Sequence, residues 1–278
     1  MSDWQDEIPR AQFSSFRRID VGSDWFWAYD IGHGIIALLE PYQFQEVMSF
    51  VVKGRDRALL IDTGLGVRPI KPVVDRLWAG PLTVVNTHRH FDHIGGDHEF
   101  PQVCVYDHPL MTQRLAAGYP DDHYRRVLAD DTFAAAGPIH HIDKTWEPVN
   151  CVTVPAGHVF DLGDRQLRLI PAPGHSADSV VLDDWQNHLL FMGDTWYPAV
   201  LYSFEGVALT QYADTLDALY RGHPGYTLVC SHNEPYAPCS VLPATAALLR
   251  QVDAGQVSGQ AQDEGTLYKH DGIRLWVK

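Results

Sequence analysis

Thr87-His88-Arg89-His90-Phe91-Asp92-His93-Ile94-Gly95-Gly96 sets three imidazoles and a carboxylate within six positions, His88 to His93. In an extended stretch, residues i and i+2 point to the same side. His88 and His90 can therefore converge on one ion, while Asp92 and His93 follow the turn and can face a neighbouring one. The β-branched run Leu82 to Val85 leads straight into this stretch, so the motif lies on a loop after a strand end, where layered α/β folds place chemistry. Gly95 and Gly96 let backbone pass close by. Ligand types at this spacing just after a strand read as a metal site rather than a solvated histidine-rich loop.

Outward from the motif, Val47 to Val52 and Ala58 to Ile61 read as a hairpin across Lys53-Gly54-Arg55-Asp56 that ends at Asp62-Thr63-Gly64. Ile70, Val73, Val74, Leu77 and Trp78 form one helical face, with Pro69 and Pro72 tolerable in its first turn. Val103 to Tyr106, Gln166 to Ile170, Ser179 to Leu182, Leu189 to Met192 and Tyr226 to Cys230 read as strands. Leu209 to Tyr220 and Val241 to Val252 have helical spacing, and Asp271-Gly272 closes a terminal hairpin of Thr266 to Lys269 and Ile273 to Val277. Strands interleaved with helices point to an α/β fold. The expectation is a single domain over residues 1–278 with an irregular insertion at about 109–157.

The stretch resembles the H-x-H-x-D-H signature of the metallo-β-lactamase superfamily, and further pieces follow in that family's order. Asp62 in Ile61-Asp62-Thr63-Gly64 resembles the buried aspartate that orients ligands from behind. His175 in Pro173-Gly174-His175-Ser176 resembles the next metal histidine, and Asp194 in Gly193-Asp194-Thr195 the bridging carboxylate. His232 in Ser231-His232-Asn233 is similar to the last ligand, with Ser231 where glycine is commoner. The resemblance implies a four-layer αββα sandwich. It also implies two metal sites: His88, His90 and His175 on one, Asp92, His93 and His232 on the other, with Asp194 shared. Five imidazoles and two carboxylates suit two zinc ions, with iron or manganese as alternatives.

Two metals about 3.5–4 Å apart can bridge a water and lower its pKa from about 15.7 toward about 7. The expected activity is hydrolysis of a small ester, thioester or lactone by that hydroxide, with Asp92 and Asp194 in the catalytic centre. Tyr197, three residues after Asp194, stands where lactone hydrolases of the family have a tyrosine that supports the oxyanion. The aromatics of Trp196 to Phe204 suggest an apolar acyl pocket. A flavodiiron-like branch would have Glu at His90, and β-lactamases proper tend to have Cys or Ser at Asp194; the hydroxyacylglutathione hydrolase and acyl-thioester or lactone hydrolase group is the most similar. Glutathione thioesterases carry a basic helical extension, whereas the 46 residues after His232 hold only Arg250, Lys269, Arg274 and Lys278 as bases. A persulfide dioxygenase-like oxidoreductase with one iron on His88, His175 and Asp194 stays open, as does a metal-free binding module.

Composition narrows the partners. The net charge of −14 argues against nucleic acid, and the longest apolar runs fall well short of the roughly 20 residues that cross a bilayer. No basic segment followed by an apolar one opens the chain, so it reads as cytoplasmic. Cys104, Cys151, Cys230 and Cys239 are scattered and read as free thiols. A small molecule with an acyl group is the expected partner.

Overall fold

In the computed structural model, which describes residues 7–118, 148–204, 206–262 and 264–278, the first eight strands form one sheet in chain order. They are β1 (Arg17–Ile19), β2 (Trp27–Gly32), β3 (Ile35–Leu39), β4 (Met48–Lys53), β5 (Ala58–Ile61), β6 (Leu82–Val85), β7 (Val103–Tyr106) and β8 (Cys151–Val154). Strands β1 to β5 pair antiparallel, and β5 to β8 pair parallel. Parallel pairing requires crossovers. These contain α1 (Lys71–Leu77), the single turn α2 (Phe91–Ile94) and α3 (Pro109–Ala117).

A second sheet has the order β15–β14–β12–β11–β10–β9. Its strands are β9 (Val159–Asp161), β10 (Gln166–Pro171), β11 (Val180–Asp184), β12 (Leu189–Phe191), β14 (Thr227–Val229) and β15 (Tyr236–Pro238). A third, smaller sheet pairs β13 (Val200–Ser203) with β18 (Ile273–Val277), then β17 (Gly265–His270) and β16 (Gln260–Gln262). The remaining helices are α4 (Leu209–Gly222) and α5 (Leu242–Asp253).

Alternation along the central strands assigns each side chain to a layer. Ile36, Leu38, Val51 and Leu60 pack with Val73 and Val74 of α1 and with Met111 and Leu115 of α3. Their neighbours Ile35, Leu39, Phe50, Leu59 and Ile61 face the other way, onto Leu167, Leu169, Val180, Leu182 and Phe191 of the second sheet. Val181 and Leu190 then face Tyr212 and Leu216 of α4 and Leu249 of α5. Three apolar interfaces separate four layers, helix, sheet, sheet, helix. Both sheets are covered on both sides, which is why β3, β5, β11 and β12 are buried along their whole length.

The β4–β5 hairpin, α1, α4, α5 and the terminal hairpin stand where the apolar spacing predicts them. Asp271 and Gly272 have φ of +47° and +80°, left-handed at both central turn positions, as the favoured two-residue hairpin turn requires. The stretch expected to be irregular is regular at both ends: α3 starts at Pro109 with His108 as its cap, and β8 extends the first sheet. The rest of that expected insertion, 119–147, lies outside the described residues. Strands β1 to β3, β9, β13, β15 and β16 are additional to the sequence reading. Cys230 and Cys239 are buried and Cys104 and Cys151 half-buried, all as free thiols.

One buried acid braces the turn after β5. Glu40 accepts from Trp25 Nε1 at 2.5 Å and from the Leu65 amide at 2.8 Å. Burial pushes its carboxyl up to about 8 from 4.5, against the two hydrogen bonds that pull it down. From about pH 4.5 to 8 the folded chain holds a proton that the unfolded chain has lost, so stability falls as pH rises, by about 1.4 kcal/mol per unit. Glu40→Gln removes this dependence. Urea unfolding of both chains is expected to show the variant gaining on the natural sequence steadily between about pH 5 and 8; a pH-independent difference would mean that Glu40 is ionised in the fold.

Candidate metal centre

Every donor residue sits just beyond the carboxyl end of a strand. His88 follows β6, His175 follows β10, Asp194 follows β12 and His232 follows β14; Asp62 follows β5. His90 precedes α2, whose single turn carries Asp92 and His93. The two sheets meet at this edge, where the Val180 amide donates to the Thr87 carbonyl at 2.9 Å. The Gly95 amide donates to the Gly64 carbonyl at 2.9 Å, and a Cβ on Gly95 would stand 2.3 Å from the Leu65 carbonyl carbon. Only glycine permits that approach, which presses α2 against the turn after Asp62.

Two donor groups result, His88, His90 and His175, and Asp92, His93, Asp194 and His232. In the first, His90 Nδ1 lies 2.8 Å from His175 Nε2 and 3.1 Å from His88 Nε2. Asp194 joins the two groups. Its Oδ2 is 3.4 Å from His175 Nε2 and 3.9 Å from His88 Nε2, while its Oδ1 is 2.8 Å from His232 Nε2 and 3.0 Å from His93 Nε2. Asp92 Oδ2 lies 3.4 Å from His93 Nε2 and 3.7 Å from His232 Nε2.

The far side of four rings is held by an acceptor. His93 Nδ1 donates to Asp62 Oδ2 at 2.8 Å, His175 Nδ1 to the Tyr202 carbonyl at 2.9 Å and His232 Nδ1 to the Gln45 carbonyl at 2.8 Å. His88 Nδ1 is 3.1 Å from Thr87 Oγ1, whose proton goes to Asp62 Oδ2 at 2.8 Å. Such contacts leave Nε2 as the lone-pair nitrogen pointing inward. Beneath the site, the buried Tyr212 ring packs on Gly174 and its hydroxyl donates to the Thr195 carbonyl at 2.7 Å. It thereby holds the His175 and Asp194 loops together.

The electrostatics fit a cation. Burial, reinforced by neighbouring imidazoles, holds His88 and His90 well below the ordinary imidazole range, and burial also lowers His175. These rings are therefore neutral at pH 7, the form that could bind a cation. For Asp194, burial raises the carboxyl, but His232, His93 and His175 outweigh it and keep it ionised. His93 is lowered by burial and raised more strongly by Asp92, Asp194 and Asp62. His93 Nε2 is buried with no hydrogen-bond partner although carboxylate oxygens stand 3.0 and 3.4 Å away. Donor atoms thus crowd common points, some at hydrogen-bond distance, as His232 Nε2 and Asp194 Oδ1 at 2.8 Å, and His93 Nε2 with no partner. Tetrahedral zinc, with Zn–N of about 2.0–2.1 Å, sets its nitrogens about 3.3 Å apart, close to the spacing here.

A cavity of about 590 Å³ opens over the two groups. Tyr197 lines it with its ring 4.7 Å from that of His232. Burial, with Asp194 next, pushes the Tyr197 hydroxyl well above the usual phenol range, and among the described residues the hydroxyl has no hydrogen-bond partner. Phe204 stacks edge-on to His90 and His175 at 5.1 and 5.3 Å. Sequence reasoning missed the Gln45 and Tyr202 carbonyls, which carry no residue-type signal, and the cavity residues Phe44, Arg114 and Arg274. Among histidines outside the donor groups, His108 caps α3 and His158 packs on Phe160, while His123, His140 and His141 lie outside the described residues.

Residues 43–232 match the family model described as "Metallo-beta-lactamase superfamily". The chain is 30% identical to the acyl-coenzyme A thioesterase MBLAC2 of Bos taurus over 197 residues, 64% of this chain and 69% of that one. It is also 30% identical to a hydroxyacylglutathione hydrolase of Xanthomonas axonopodis pv. citri over 218 residues, 76% and 71% of the two chains. An archaeal metallo-β-lactamase superfamily protein from Sulfolobus tokodaii superposes with a TM-score of 0.58 at 18% identity, covering 84% of this chain and 91% of that one. The layers, the donor groups at the strand ends and the match over residues 43–232 agree: the chain belongs to the metallo-β-lactamase superfamily.

Proposed function

We propose that the chain is a binuclear zinc hydrolase acting on a small acyl thioester, with esters and lactones as the neighbouring substrate classes. The observation that carries this reading is Asp194, whose two oxygens face separate trios of donors. His88, His90 and His175 would hold one ion, Asp92, His93 and His232 the other, and Asp194 both. Zinc bound there supplies what the side chains lack, water activated near neutral pH and a Lewis acid for the acyl carbonyl.

The chain's own residues do the rest. Asp62, Thr87 and the Gln45 and Tyr202 carbonyls fix the rings in the ligating orientation. Tyr197 keeps its proton and can donate it as a hydrogen bond to the oxygen that gains charge during acyl transfer. Phe44, Phe91, Ala199 and Phe204 give the cavity an apolar wall suited to an acyl chain. The names of the MBLAC2 and hydroxyacylglutathione hydrolase relatives support acyl cleavage and favour the thioester.

Metal analysis of protein purified without added metal is expected to find two zinc ions per chain. A single iron, with oxygen consumed on glutathione persulfide, would instead support the dioxygenase reading on His88, His175 and Asp194. Asp194→Ala is expected to abolish turnover and to empty both sites together; retention of one full site would contradict a shared carboxylate. Asp62→Asn should weaken metal binding by about 10–100-fold, read by chelator competition. Tyr197→Phe should lower kcat on thioester, ester and lactone substrates by about 10²–10³-fold with metal content intact; unchanged kcat and KM would remove it from the mechanism.

A further inference from the structure

The cavity gathers cations in a strongly acidic chain. Arg89, Arg114 and Arg274 line it although the formal net charge is −14. The two carboxylates that line it, Asp92 and Asp194, belong to the donor groups. The arginines are not equivalent. Arg89 is turned onto the buried Asp178, to which its amide also donates at 3.0 Å, and so ties the histidine loop to the start of β11. Arg114 donates from Nη1 to the Gly118 carbonyl at 3.0 Å. Arg274 is exposed, and its guanidinium makes no ion pair or hydrogen bond among the described residues. By contrast, Arg250 on α5 is held by Asp214 and Asp217, both at 2.7 Å.

Position gives Arg274 its meaning. Arg274 and Trp276 lie two apart on β18 and so share a face, about 7 Å apart along the strand. Their partners across the pairing are Val200 and Tyr202 of β13, both cavity residues. The Trp276 ring lies 5.6 Å from Tyr202 and 6.0 Å from Phe204, and Phe204 touches the rings of His90 and His175. A continuous aromatic wall therefore runs from the donor groups outward and ends at a guanidinium. In a field that repels anions over most of the surface, a local cluster of arginine is what admits one.

We propose that Arg274, together with Arg114, binds an anionic group on the thiol half of the substrate, so that the enzyme acts on thioesters of anionic thiols in preference to neutral ones. This rests on the hydrolase reading above. Phe44 and Phe91 serve the acyl chain, while the wall through Tyr202 and Trp276 that ends at Arg274 is left to the departing thiol. A guanidinium meets phosphate and carboxylate in the same two-pronged geometry, so the shared chemistry is an oxyanion.

The test separates binding from turnover. The S-octyl thioethers of coenzyme A, glutathione and N-acetylcysteamine share one alkyl chain, resist hydrolysis and differ in carrying phosphates, carboxylates or no charge. Their Kd values are measured by calorimetry on the metal-loaded protein and on Arg274→Gln. At least one anionic thioether is expected to bind about tenfold tighter than the neutral one, and the variant to lose most of that preference with the neutral Kd unchanged. The preference should also shrink as salt is raised. Loss on the coenzyme A arm assigns a phosphate, and loss on the glutathione arm a carboxylate. Equal binding of all three, or a preference that survives in Arg274→Gln, overturns the proposal. Hydrolysis of the matching octanoyl thioesters is measured in parallel. A preference without turnover would keep the anion site and remove the thioesterase reading; turnover without a preference would do the reverse.

Discussion

A carboxylate stripped of water persists only where positive or polarisable partners surround it, and Asp194 is the extreme case here. Four imidazole nitrogens stand within 3.9 Å of its two oxygens, two on each side. Asp92 and His90 add to the same buried space. Most of these atoms are lone-pair donors aimed at common points, an arrangement that water cannot satisfy and that cations do. The other features of the site serve to assemble these groups or to exploit them.

Assembly is distributed over all four layers. The donor residues come from the ends of β6, β10, β12 and β14, and both sheets must stack before the trios exist. The core between the sheets, with Phe50 and Phe191 at 5.7 Å, sets that stacking. Ring orientation then depends on places far away in sequence. His232 is aimed by the Gln45 carbonyl, 187 positions earlier, and His175 by the Tyr202 carbonyl on a strand of the third sheet. That sheet has two functions, because the same β13–β18 pair carries the aromatic wall and Arg274. The C-terminal hairpin thereby contributes both to ligand orientation and to the shape of the cavity.

The apolar runs of β4 and β5 and the alternation read in β10 to β12 made these strands legible, whereas the four-layer arrangement came from the family resemblance and β3 was not read as a strand. The helical faces of α1, α4 and α5 were legible from apolar spacing at a period of 3.6. Strands β9, β13, β15 and β16 were not, since three or four residues give too short a run for any period to show, and pairing partners rather than composition make them strands. Likewise α3 is only nine residues with buried positions at Met111 and Leu115.

By itself the sequence determined the chemistry of the donors. Three imidazoles and an acid at fixed offsets after a strand mark a metal-type site, because ligand type and spacing are local properties, while Asp62 before them and His175, Asp194 and His232 after them were assigned through the family resemblance. Only the tertiary structure decided which oxygen of Asp194 faces which trio, which carbonyls aim the rings, and that Arg114 and Arg274 share a cavity with them. Those facts depend on the packing of sheet on sheet and on backbone groups common to every residue, and no local pattern encodes them.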